Sequence, residues 1–86
     1  MNNLEKLRAC FRAALTPPAD TDIDALVYAK HPLWDSVAHM RLVAEIERQF
    51  NIMFTTDQIL DLNSFAMARE LVGGYGIDWS GVDRAG

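Results

Sequence analysis

Apolar residues recur at three- and four-residue steps in three stretches of the chain, and no stretch alternates apolar and polar positions for long enough to make a strand. In the first stretch Leu4, Leu7, Phe11, Ala14 and Leu15 form one stripe, which predicts a helix from about Asn3 to Leu15 with Asn2 or Asn3 as its cap. Cys10 falls at the edge of that stripe and reads as a small, half-buried apolar residue rather than a reactive thiol. The second stretch, Trp34 to Phe50, is the longest, and Leu42, Val43, Ile46 and Phe50 share one sector of it with His39. The third runs from Phe65 to Val72, opened by Ser64 and stopped by Gly73-Gly74, with Phe65, Ala68, Leu71 and Val72 facing inward. A shorter helix around Asp57 to Asp61, capped from Thr55-Thr56-Asp57 and anchored by Ile59 and Leu60, completes the set. The expectation is all-α: a small four-helix bundle with three main helices and one short one.

The connections carry their own signals. Thr16-Pro17-Pro18 cannot continue a helix, because proline lacks the N–H and restricts the residue before it. A long first loop therefore runs to His31-Pro32, and Ile23, Leu26 and Val27 within it, capped by Thr21 or Asp22, suggest one helical turn pinned to the core. Asn51 to Phe54 reads as an irregular apolar link. Residues 1–74 are expected to form the folded domain, and 75–86, with Gly76 and Gly81 between isolated apolar residues, a flexible tail.

The start of the central helix holds the candidate chemistry. Asp35 is placed to cap it, and Ser36 then occupies the first helical position beside the positive end of the macrodipole, where an attached phosphate would be favoured. Roughly opposite the core sector lie Val37, Met40 and Ala44, ringed by Arg41, Glu47 and Arg48; small apolar residues among charges suit a transient docking surface. Trp34, just before the cap, reads either as a staple folded back on the helix start or as a residue flanking the serine. Geometry disfavours a Ser36/His39 nucleophile pair, and with it a hydrolase: the two side chains diverge by about 60° around the helix, and no glycine-rich oxyanion loop adjoins them. His39 is instead expected to be a core histidine satisfied by a backbone or side-chain partner.

Charge and composition narrow the classes. The net charge is −4 and the eight Lys and Arg are scattered, so a nucleic-acid partner is not expected. No apolar run approaches the roughly 20 residues needed to span a bilayer, and the first 15 residues lack a secretory pattern, which implies a soluble cytoplasmic protein without a membrane partner. One cysteine makes no internal disulfide, and the two histidines show no zinc spacing, so no metal is expected.

The tripeptide Asp35-Ser36-Val37, followed by Leu42-Val43, Ile46-Glu47 and Phe50, and later by Leu62-Asn63-Ser64, resembles the acyl and peptidyl carrier proteins, over roughly residues 3 to 73. The resemblance implies a freestanding bundle of the acyl-carrier type and, on Ser36, a 4′-phosphopantetheine arm donated by coenzyme A through a phosphopantetheinyl transferase and Mg²⁺. Asp35 would be the helix cap beside the arm, and Val37, Met40, Arg41, Ala44, Glu47 and Arg48 the surface met by acyl-loading and acyl-processing enzymes. Such a protein is a monomeric shuttle for acyl or aminoacyl thioesters and not an enzyme. Arg41 and Arg48 interrupt the acidic series that fatty-acid-synthesis members show on this helix, and Trp34 before the D-S pair suggests a specialised pathway of the polyketide or nonribosomal peptide kind. Carriage for fatty-acid synthesis and an unmodified helical adaptor are the alternatives.

Overall fold

Asn2 opens the first helix by accepting the Glu5 N–H on its side chain at 2.8 Å, and α1 runs Asn3–Leu15 in the computed structural model, which describes residues 2–28, 30–77 and 79. The helix ends one residue ahead of the proline pair: Thr16 turns left-handed (φ 45°) and returns its N–H to Arg12 O. Leu7, Cys10, Phe11, Ala14 and Leu15 are buried along the expected stripe. Cys10 lies deeper than the edge position expected of it, at 1% exposure, and burial pushes its thiol up to about 12.

The long connection is tied down mainly by polar groups. Ile23–Ala25 make a single 3₁₀ turn that sinks Ile23, but Asp22 makes no side-chain capping bond there. Asp24 instead meets the Arg8 guanidinium on both oxygens, Nε to Oδ1 at 2.8 Å and Nη2 to Oδ2 at 2.9 Å, with Glu5 also on Arg8. Beyond Leu26 the chain is extended: Tyr28 N–H donates to Asn63 O at 2.8 Å, and Val27 and Ser64 form an isolated antiparallel bridge. Extended backbone alternates its side chains, so Leu26 is buried while Val27, expected in the core, is 38% exposed.

The Arg8 pairing gives a pH prediction. Arg8 holds the Asp24 carboxyl below its usual range, so the folded state binds that proton less readily than the unfolded one. The pair's contribution is complete above the ordinary carboxylate range and is lost as pH falls through the lowered value. Asp24→Asn should therefore be less stable than wild type at neutral pH, with the gap closing on acidification below about pH 4; urea midpoints at pH 7 and pH 3 check it.

The second helix, α2, spans Ser36–Phe50 and packs along α1. Leu42, Val43, Ile46 and Phe50 are buried as the pattern requires, together with Ala38. The Phe11 ring sits between Trp34, edge-on at 5.4 Å, and Phe65 at 5.3 Å, which joins α1, the start of α2 and the last helix in one aromatic centre. Asn51 ends α2 in the left-handed conformation (φ 55°), and Phe54 turns back into the core.

The short helix α3, Thr56–Asp61, begins on a complete capping box formed by Thr55 and Gln58. It buries no residue of its own. Ile59 is half-buried, but Leu60, expected as an anchor, is 75% exposed. Phe54 and Leu62, on either side of the helix, supply the burial instead. The last helix, α4, spans Phe65–Gly73 from its Ser64 cap and presents Phe65, Ala68 and Val72 to the core, with Leu71 partly buried.

Beyond Gly74, Tyr75, Ile77 and Trp79 pack on the domain. The Tyr75 hydroxyl lies 2.6 Å from Met53 O and 2.7 Å from Gln58 Oε1, its one proton serving both. Trp79 packs against Phe50 at 6.1 Å with Arg69 over its ring, and a Cβ on Gly73 would come within 2.9 Å of Trp79 Nε1, so a larger residue there would have to displace the indole. The rest of the expected flexible tail, residues 78 and 80–86, lies outside the described residues. Among the described residues the fold is all-α, with four α-helices, one 3₁₀ turn and no strand beyond the isolated bridge. No helix among them is long and apolar enough to cross a membrane.

Candidate functional site

Asp35 adopts the extended conformation required of an N-cap, and its Oδ1 accepts the Ala38 N–H at 2.9 Å while its carbonyl accepts from His39 N–H at 2.8 Å. Ser36 is thereby fixed as the first residue of α2 and is exposed. The N–H groups of Ser36 and Val37 belong to the first turn, which an α-helix cannot satisfy internally, so a phosphoryl group on the serine oxygen would sit at the positive pole of the helix.

Trp34 takes the staple role. It occupies the position before the cap, is completely buried, and stacks on His39 one turn into the helix (6.1 Å between centroids, 24° between planes). The contact is also polar: Trp34 Nε1 donates to His39 Nδ1 at 3.0 Å. An indole nitrogen can only donate, so Nδ1 is the acceptor and Nε2 carries the hydrogen, which it gives to Ile59 O at 2.9 Å. Both ring nitrogens are thus committed away from Ser36, as expected of a histidine satisfied within the fold.

The second sector of α2 divides. Val37 (60% exposed) and Met40 (54%) stand in solvent beside Ser36, and Ala44, Arg41 and Arg48 are exposed further along. Arg48 is paired along the helix with Glu45, three residues earlier. Glu47 departs from the expected charged rim: it is half-buried, and its carboxylate accepts the Phe54 N–H at 2.9 Å, closing the turn after α2. Glu47→Ala should strip that N–H of its acceptor and lower stability by about 1 kcal/mol, while Glu47→Gln, which keeps an oxygen there, should lose less; chemical denaturation checks both.

Sequence reasoning missed Tyr28. Its ring lies 5.1 Å from His39 and 5.9 Å from Trp34, and with Leu33 it extends the exposed apolar surface to the loop side of the helix start. The available signal was Leu26-Val27-Tyr28 itself, a short run of strand-forming residues whose alternation turns Val27 outward.

No family model, curated protein or solved structure matches the chain.

Proposed function

We propose that this chain is an acyl carrier protein, modified on Ser36 by a 4′-phosphopantetheine arm. The observation that carries the reading is an exposed serine at the first position of α2, held there by Asp35 and bordered by the exposed apolar side chains Val37 and Met40. The site fits the group: the serine oxygen is accessible, and the unsatisfied N–H groups of the first turn favour a phosphodiester. In the modification, Ser36 Oγ forms a bond to the β-phosphorus of coenzyme A, and the bond to the leaving adenosine 3′,5′-bisphosphate breaks. The hydroxyl proton passes to a base on the transferase, whose Mg²⁺ steadies the pyrophosphate.

The arm, when attached, supplies a terminal thiol that holds an acyl or aminoacyl group as a thioester. This chain's own part is to present the serine rigidly and to offer Val37, Met40 and Ala44, with Arg41 and Arg48 at the margin, to enzymes that must release it as readily as they bind. The mixed charge of this face, where Arg41 and Arg48 break the acidic series, favours a specialised assembly pathway over fatty-acid synthesis. His39, occupied by Trp34 and Ile59, supports the reading of a non-enzymatic shuttle over a Ser/His hydrolase.

The test is intact mass after incubation with a broad-specificity transferase, coenzyme A and Mg²⁺. One added phosphopantetheine, mapped to Ser36, is the expected result. Unchanged mass under conditions that modify a control carrier overturns the proposal and leaves the unmodified adaptor.

A further inference from the structure

We propose that His39 is a positioning residue, a latch through which α3 and the first turn of α2 sense each other. The starting point is that no residue of α3 is fully buried and only Ile59 packs partly against the core, so hydrophobic packing holds it less firmly than the other helices. Two polar contacts tether it from outside. One is Tyr75 Oη on Gln58, and the other is His39 Nε2, which donates to the Ile59 carbonyl at 2.9 Å.

The His39 tether continues into the core. Its other nitrogen accepts from Trp34, which is buried in the intact fold, so moving the imidazole takes from the indole N–H the partner it has there. Trp34 in turn is the residue before Asp35, the cap that fixes Ser36. Tyr28 closes over both rings. One imidazole therefore bridges a loosely held helix and a rigid one, with a donor and an acceptor of fixed assignment, and a displacement of α3 pulls on Trp34 directly. The latch is present whether or not Ser36 is modified.

Native-state hydrogen exchange by NMR on the full, unmodified chain tests it. His39→Asn places an amide oxygen near the Nδ1 position, where it can still accept from Trp34, but is too short to reach Ile59; His39→Gln extends an N–H toward the Nε2 position. In His39→Asn the Ile59 and Leu62 amides, bonded to Thr55 O and Gln58 O, should exchange about 5-fold faster or more, while those of α1, α2 and α4 change less than about 2-fold, and His39→Gln should recover part of the protection. Tyr75→Phe, which loosens the other tether, should speed exchange of the Trp34 indole N–H in the wild-type background and leave it unmoved in His39→Asn. Unchanged α3 amides in His39→Asn, an equal rise in every helix, or an indole that ignores Tyr75→Phe would each overturn the latch. Because both readouts use unmodified protein, failure of the transferase reaction and failure of the latch are separate results.

Discussion

Trp34→Ala should lower the melting temperature by more than about 12 °C or abolish a cooperative transition. Removing a fully buried tryptophan costs about 3–5 kcal/mol, and each kcal/mol moves the midpoint of a domain this size by about 4–8 °C. Against a total stability of roughly 4–13 kcal/mol for 86 residues, that is a large share. Two local effects add to it: the edge contact with Phe11 disappears, and His39 Nδ1 is left without its donor. Trp34→Phe keeps much of the apolar area but loses the N–H and part of the bicyclic ring, so a smaller cost of about 1–3 kcal/mol is expected. Calorimetry of the three proteins decides, and a Trp34→Ala protein within about 1 kcal/mol of wild type would show that Trp34 does not sit in the aromatic centre.

Ser36→Ala should behave in the opposite way, with no structural cost and complete loss of the modification. The serine is exposed, Asp35 keeps its bond to Ala38 N–H, and alanine is a good helix former, so stability should stay within about 0.5 kcal/mol of wild type. After incubation with transferase and coenzyme A its mass should not change. An arm found on another residue, such as Ser64, or still attached in the variant would remove Ser36 from the proposed chemistry. Asp35→Ala makes a useful companion: losing the cap should cost about 0.5–2 kcal/mol while leaving the hydroxyl in place.

The helices that pack on one another were legible because each has to hide a single stripe. Leu7, Phe11 and Leu15 on α1, and Leu42, Ile46 and Phe50 on α2, follow the helical period, and all are buried. Asp35 and Ser64 were legible as caps for a similar reason, since a short polar side chain before an apolar run has few other uses. A six-residue helix is too short for periodicity to choose a face: of the two expected anchors of α3, Ile59 packs partly against the core while Leu60 stands in solvent, and the backbone carbonyl of Ile59 adds a hold of its own. A carbonyl leaves no mark in a sequence. The turn-closing role of Glu47 was hidden for the same reason, because its partner is the N–H of Phe54 and not a side chain whose charge could be seen. His39 was readable as a group needing partners, but Trp34, five positions earlier, becomes one only because the chain folds back at the cap.

The depth of Cys10 has a practical bearing on chemical labelling. Its sulfhydryl is shielded by the core and, with burial pushing it up to about 12, stays protonated at the pH of ordinary maleimide or disulfide-exchange reactions. In the native fold this chain should therefore be silent to thiol reagents, with one reactive sulfur expected in denaturant. A single arm on Ser36 would bring a second sulfur, one that reports without denaturant, so fluorophores or affinity handles could be placed on the arm alone with the native cysteine left in place.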